Sequence, residues 1–83
     1  MPAEKRIFLV EDHPIFRMGM VELLNADPGL QVCGEAEEIG AARRLIEVQD
    51  PDLAIVDIGL NQANGLDLVK ELAQNRPALP VLV

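Results

Sequence analysis

The stretch Asp52-Leu-Ala-Ile-Val-Asp57 decides how this chain is read. Four consecutive apolar residues run straight into Asp57, bounded before by Asp50-Pro51 and after by a Gly/Asn-rich segment. That is the pattern of a strand buried on both faces, as in a parallel sheet covered by helices. A carboxylate at its end needs a reason, because Asp is rarely buried unless paired or hydrogen-bonded. Either the strand emerges into solvent at Asp57, or Asp57 sits in a polar site at the C-terminal edge of the sheet, where open parallel sheets bind ligands.

Upstream, Arg6-Ile-Phe-Leu-Val10 is a second apolar run that breaks at Glu11-Asp12-His13-Pro14, a strand ending in an acidic turn. Pro14 opens a helix, since its fixed φ and missing N–H cost nothing at a first helical position. Phe16, Met20, Leu23 and Leu24 then fall on one stripe, and Asp27-Pro28-Gly29 ends it. Leu30 to Cys33 resumes a strand that closes near Gly34 to Ala36. Glu37 and Glu38 suit the N-terminus of a short helix with its stripe at Ala42, Leu45 and Ile46, stopped by Gln49-Asp50-Pro51. Downstream of Asp57, Asn64 is expected to cap a helix with Asp67 at its third position, placing Leu68, Val69, Leu72 and Ala73 on one side before Arg76-Pro77. Pro80 to Val83 starts a fourth strand. The sum is a β-α-β-α-β-α-β chain, an α/β fold with a parallel sheet, right-handed crossovers and helices on both faces.

The chain's 83 residues, 49% hydrophobic and 25% charged, form one small domain. Fourteen acidic against seven basic residues give a formal charge of -7. Such a balance repels a phosphate backbone and an anionic membrane surface, so no direct nucleic-acid or membrane binding is expected of this segment. The single Cys33 cannot form an internal disulfide, and there is no apolar run near about eighteen residues and no signal-peptide pattern. A reducing compartment, the cytoplasm, is expected.

Glu11 and Asp12 follow the first strand and Asp57 ends the third; if those strands are neighbours, three carboxylates converge on one edge. They repel unless protons or a cation neutralise them. Oxygen ligands with room for water suit Mg²⁺, which takes one or two carboxylates plus phosphate oxygens. A cation between Asp12 and Asp57 would screen an incoming phosphoryl group so that Asp57 could attack phosphorus. Gly59, small and two residues on, leaves its carbonyl free to turn toward the same cation.

Glu11-Asp12 after the first strand, Asp57 after an apolar third strand and Gly65 eight residues later together resemble the receiver domain of two-component response regulators. Asp-His-Pro opening the first helix and Gly-Leu-Asp-Leu-Val after the loop strengthen the likeness. The wording Asp12-His-Pro-Ile-Phe-Arg-Met-Gly19 is similar to the LuxR/FixJ-type subgroup, whose receiver precedes a helix-turn-helix output domain. The resemblance implies a flavodoxin-like receiver fold, here incomplete, with its strands in the order 2-1-3-4 and residues 1–83 as the N-terminal portion of the domain. It implies that Asp57 accepts a phosphoryl group from a histidine of a sensor kinase. Asp12, Asp57 and the Gly59 carbonyl would ligate Mg²⁺, with Glu11 holding the metal's water shell. The chain is then a signalling acceptor regulating transcription through an output domain, and not an enzyme.

Departures from the family pattern bear on this expectation. Leu60-Asn61 stands where the family usually has Met-Pro. The Ser or Thr ending strand four and the Lys ending strand five, which contact the phosphoryl oxygens, lie beyond Val83. A truncated receiver is expected to accept phosphate more slowly and to lack the last strand and last two helices. Its exposed fourth strand predicts a homo-oligomer, a dimer or a domain swap, and as an alternative function an association module without working phosphorylation. An aspartyl phosphohydrolase would carry a second Asp at the position of Gly59, and a dinucleotide-binding turn would be Gly-rich where this chain has Glu11-Asp12-His13-Pro14. His13 is read as a solvent-facing turn residue, Cys33 as a small buried hydrophobe and Arg43-Arg44 as a solvated helix face.

Overall fold

Alternating apolar runs and amphipathic stretches become alternating strands and helices. The computed structural model describes residues 4–57 and 65–83. Its elements are β1 (Lys5–Val10), α1 (Pro14–Asn25), β2 (Leu30–Ala36), α2 (Ile39–Gln49), β3 (Leu53–Val56), α3 (Gly65–Asn75) and β4 (Val81–Leu82). Pro14 occupies the first turn of α1, as its pre-set φ favours. α2 stops at Asp50, a left-handed residue with φ 49° whose N–H still bonds the Ile46 carbonyl at 2.9 Å. Asn64, expected as the cap of α3, lies outside the described residues, while Asp67 does fall in that helix's first turn.

All four strands are parallel, in the order β2-β1-β3-β4. β1 lies inside the sheet, paired to β2 on one side and to β3 on the other. The chain leaves β1 in one direction to make β2 and returns to its other side to make β3. The C-terminal ends of β1 and β3 therefore flank a point where the winding reverses, the place where open α/β sheets hold ligands.

The two faces of the sheet are unequal. On one, Phe8, Val10, Ala36 and Val56 pack with Ala42 and Ile46 of α2 and Leu68 and Leu72 of α3 in a continuous buried cluster. On the other lies α1, none of whose residues is buried. Two expectations change here. The stripe Phe16, Met20, Leu23, Leu24 is not core: Phe16 is 59% and Leu23 76% exposed, and Met20 and Leu24 are half-buried. β3 is buried on one face only, through Ala54 and Val56, with Leu53 and Ile55 half-buried. The cause is shared: α1 packs over β2, leaving the β3 side of its face as an open groove of about 860 Å³ lined by Leu9, Ile15, Phe16, Met20, Ile55 and Leu82 among others. On the packed face the adjustments are smaller. Leu45 and Ala73 are exposed, while Ile39 and Val69 join the margin of the cluster.

Candidate functional site

The site grows from the last residues of β1 and β3. Beyond the final register pairs, Val10 with Ala36 and Val10 with Val56, two further backbone bonds continue the ladders: Glu11 N–H to the Ala36 carbonyl and Asp57 N–H to the Val10 carbonyl, each 3.0 Å. They fix Glu11 and Asp57 at the same edge. Pro14 then turns the chain away into α1, leaving Glu11, Asp12 and His13 as a short bend over the end of β3.

Glu11, Asp12, His13 and Asp57 each bring one ligand atom to within 4.8 Å of the others. Glu11 is the one buried charged residue among those described, 3% exposed. Its Oε1 accepts the His13 backbone N–H at 3.1 Å and lies 2.6 Å from His13 Nδ1, which is also 3.0 Å from Asp12 Oδ1. The hydrogen bond to Glu11 and then the negative charge of Asp12, aided by the charges of Glu11 and Asp57 and opposed by desolvation, leave His13 with a pKa above its ordinary value. When protonated, the imidazole supplies positive charge to a carboxylate cluster that would otherwise repel itself. The donor set fits a hard divalent cation: three carboxylates within coordinating range of one another, with Asp12 and Asp57 both half-buried at the sheet edge.

Of the residues singled out in the sequence, Glu11, Asp12 and Asp57 come together, as the neighbouring strands require. Gly59, and with it Leu60 and Asn61, lies outside the described residues. His13 was set aside as a turn residue; its side chain is indeed 64% exposed, but its Nδ1 faces into the cluster. The signal for this was its place two residues after Glu11, where the Glu11 carboxylate closes a tight turn onto the His13 N–H. Cys33 is half-buried, and burial pushes its thiol pKa up, opposed in part by Arg6, which disfavours the thiolate. Arg43 and Arg44 are exposed, and Arg43 makes a two-pronged pair with Glu71 of α3.

The response regulator receiver domain family matches residues 7–83. This chain belongs to that family. The receiver is 40% identical over 78 residues to the DNA-binding transcriptional activator DevR/DosR of Mycobacterium tuberculosis, an alignment covering 94% of this chain and 36% of that protein. It is 36% identical over 83 residues to a protein-glutamate methylesterase/protein-glutamine glutaminase of Vibrio vulnificus, covering all of this chain and 24% of that protein. A LuxR-family two-component response regulator from Aurantimonas sp. SI85-9A1 superposes with a TM-score of 0.88 at 34% identity, over 95% of this chain and 56% of the other. The receiver thus spans between about a quarter and a third of the length of these two curated relatives. The four-stranded parallel sheet in the order 2-1-3-4 is that of the flavodoxin-like receiver fold. Among the described residues no helix is long and apolar enough to cross a membrane.

Proposed function

We propose that this receiver accepts a phosphoryl group on Asp57 from a phosphohistidine of a sensor kinase, in a Mg²⁺-dependent transfer. The observation that carries the reading is the convergence of Glu11, Asp12 and Asp57 at the winding reversal of the sheet. A carboxylate oxygen of Asp57 attacks phosphorus, the bond from phosphorus to the donor's imidazole nitrogen breaks, and its electron pair leaves with that nitrogen. The product is an acyl phosphate on Asp57. Asp12 and Asp57, with the Gly59 carbonyl, would hold Mg²⁺, and Glu11 would hold its water shell. Bound there, the ion would neutralise phosphoryl oxygens that the carboxylates alone repel. The hydrogen bond from Asp57 N–H to Val10 holds the acceptor's backbone in place for in-line approach.

In this reading the domain is an acceptor and not a turnover enzyme. It acts in the cytoplasm and reports to a DNA-binding output segment of the kind named for the M. tuberculosis relative. The receiver itself, with its formal charge of -7, is not the part that touches DNA. Incubation with a small phosphodonor and Mg²⁺ should add one phosphoryl mass increment, lost on chelation and in Asp57→Asn. An increment that persists in Asp57→Asn would remove Asp57 from the reaction.

A second reading, self-association, is favoured by β4. It pairs with β3 through Val81 and Leu82, while Leu82 is 56% and Val83 62% exposed beside the apolar groove. A strand edge of that kind is a template for a second copy, by edge pairing or by exchange of an element. Light scattering of the 83-residue chain should then show a dimer; a compact monomer at micromolar concentration rules it out.

A further inference from the structure

Arg17 belongs to the Asp12-to-Gly19 wording that marks the start of α1, yet the phosphoryl-transfer reading gives it no task. Its side chain is 18% exposed, enclosed for an arginine. Nη1 donates to the Glu11 carbonyl at 2.8 Å, and Nε donates to Glu35 Oε1 of β2 at 2.9 Å. Glu37 Oε2 lies 3.8 Å from Nη1. One guanidinium therefore ties α1 both to the end of β2 and to the peptide that leads from Glu11 into Asp12.

That peptide is the last fixed unit before the acidic bend. Glu11 N–H is held by the Ala36 carbonyl. Glu11 lies past the final register pairs of β1, so the sheet registers no longer orient its carbonyl. The plane of the Glu11–Asp12 peptide sets the direction in which the Asp12 side chain leaves the backbone. A planar guanidinium with several donors in fixed geometry suits this task, because one prong can anchor on Glu35 while another holds the carbonyl.

We propose that Arg17 is the positioning residue of the acidic pocket: by holding the Glu11 carbonyl it aims Asp12 at the place a divalent cation takes between Asp12 and Asp57. This rests on the reading of the pocket as a cation site. The sign of the effect separates positioning from charge. A cation next to the pocket opposes binding of another cation, so if Arg17 were a mere surface charge its removal would tighten metal binding. As a positioning residue its removal weakens binding, by about ten-fold or more, the range found for partners that orient metal ligands.

The test is uptake of Mn²⁺ by the 83-residue chain, read from loss of the free-ion electron paramagnetic resonance signal, with Mg²⁺ as competitor. Arg17→Met should bind at least about ten-fold more weakly while its far-ultraviolet circular dichroism stays that of the parent. Arg17→Lys, whose compact ammonium lacks the planar fork and is drawn to the Glu35 and Glu37 carboxylates rather than to the neutral Glu11 carbonyl, should also bind more weakly than the parent and remains informative if Arg17→Met does not fold. Glu35→Gln keeps the bond to Glu11 and should stay within about two-fold of the parent. Parent-like or tighter binding in Arg17→Lys or in a folded Arg17→Met overturns the proposal, as does a loss in Glu35→Gln equal to that in Arg17→Met. If the parent chain takes up neither ion, the cation-site reading itself has failed, an outcome distinct from failure of the role of Arg17.

Discussion

Gly34 shows how tightly single residues are fitted on the packed side of the sheet. A methyl group there would lie 2.8 Å from Cε2 and 3.0 Å from Cδ2 of Phe8, a side chain that is fully buried and so has no room to retreat. Gly34 pairs with Phe8 at the point where the β1–β2 register shifts, which brings ring and backbone together. Gly34→Ala should therefore destabilise the domain by about 1–3 kcal/mol through overpacking, read as a lower urea midpoint. Adding Phe8→Leu should cost less in that background than alone, since it empties the space the methyl needs. This close approach was not legible in the sequence, where Gly34 read as the fading end of a strand; a clash across two strands depends on register. The carboxylates were legible. Glu11, Asp12 and Asp57 each interrupt an apolar run at a place where burial makes a charge costly, so each asks for a site. His13 and Arg17 were missed in their roles because nothing in their own neighbourhood conflicts with an exposed helix start; their meaning lies in contacts to Glu11 and Glu35.

Between elements, α2 and α3 are joined on their outer side by Arg43 and Glu71, a two-pronged pair with Nη2 2.9 Å from Oε1. The hydrogen bond from Arg43 is the main reason the Glu71 carboxyl titrates below its ordinary value. A carboxyl whose pKa is lower in the folded state stabilises the fold above the unfolded-state pKa, and that contribution is lost as pH falls through the folded-state value. The stability difference between the parent and Glu71→Gln should accordingly be greatest near neutral pH, shrink through the acidic carboxylate range, and diminish in high salt because the pair is exposed. Urea unfolding of both proteins across that pH range checks it, and a difference independent of pH would remove the pair from the account. The helices themselves were legible from their breakers, Pro14, Asp27-Pro28-Gly29, Asp50-Pro51 and Arg76-Pro77. For α2 and α3 the buried faces were legible to within one position: Ala42, Ile46, Leu68 and Leu72 are core, whereas Leu45 turns outward and Ile39 takes its place at the margin. Apolar spacing defines a stripe on a helix but leaves its rotation to what lies opposite.

At the scale of the whole molecule, alternation called for a parallel sheet, but the strand order came from the receiver resemblance. The convergence of the three carboxylates depended on the first and third strands being neighbours, and in the sheet they are. Pattern could not show that the two faces of the sheet would be covered so differently. The stripe of α1 follows a helical period as those of α2 and α3 do, but α1 packs mainly over β2 and leaves Phe16 and Leu23 toward solvent, while α2 and α3 close over Phe8, Val10 and Val56. Equal sequence patterns should therefore carry unequal energies. Ile46→Ala removes a side chain 1% exposed from the centre of the cluster and should cost about 2–5 kcal/mol, the transfer of the lost methylenes plus the cavity they leave. Leu23→Ala removes one that is 76% exposed and should stay within about 0.5 kcal/mol of the parent, helped by the good helix propensity of Ala. Urea midpoints with unchanged slopes would measure both. Were Leu23→Ala to cost as much as Ile46→Ala, the α1 face of the 83-residue chain would have to be buried in solution, as by a second copy seated on the groove. Repeating the two titrations over a range of protein concentrations would then decide the matter, because stability gained from a second copy rises with concentration and stability gained within one chain does not.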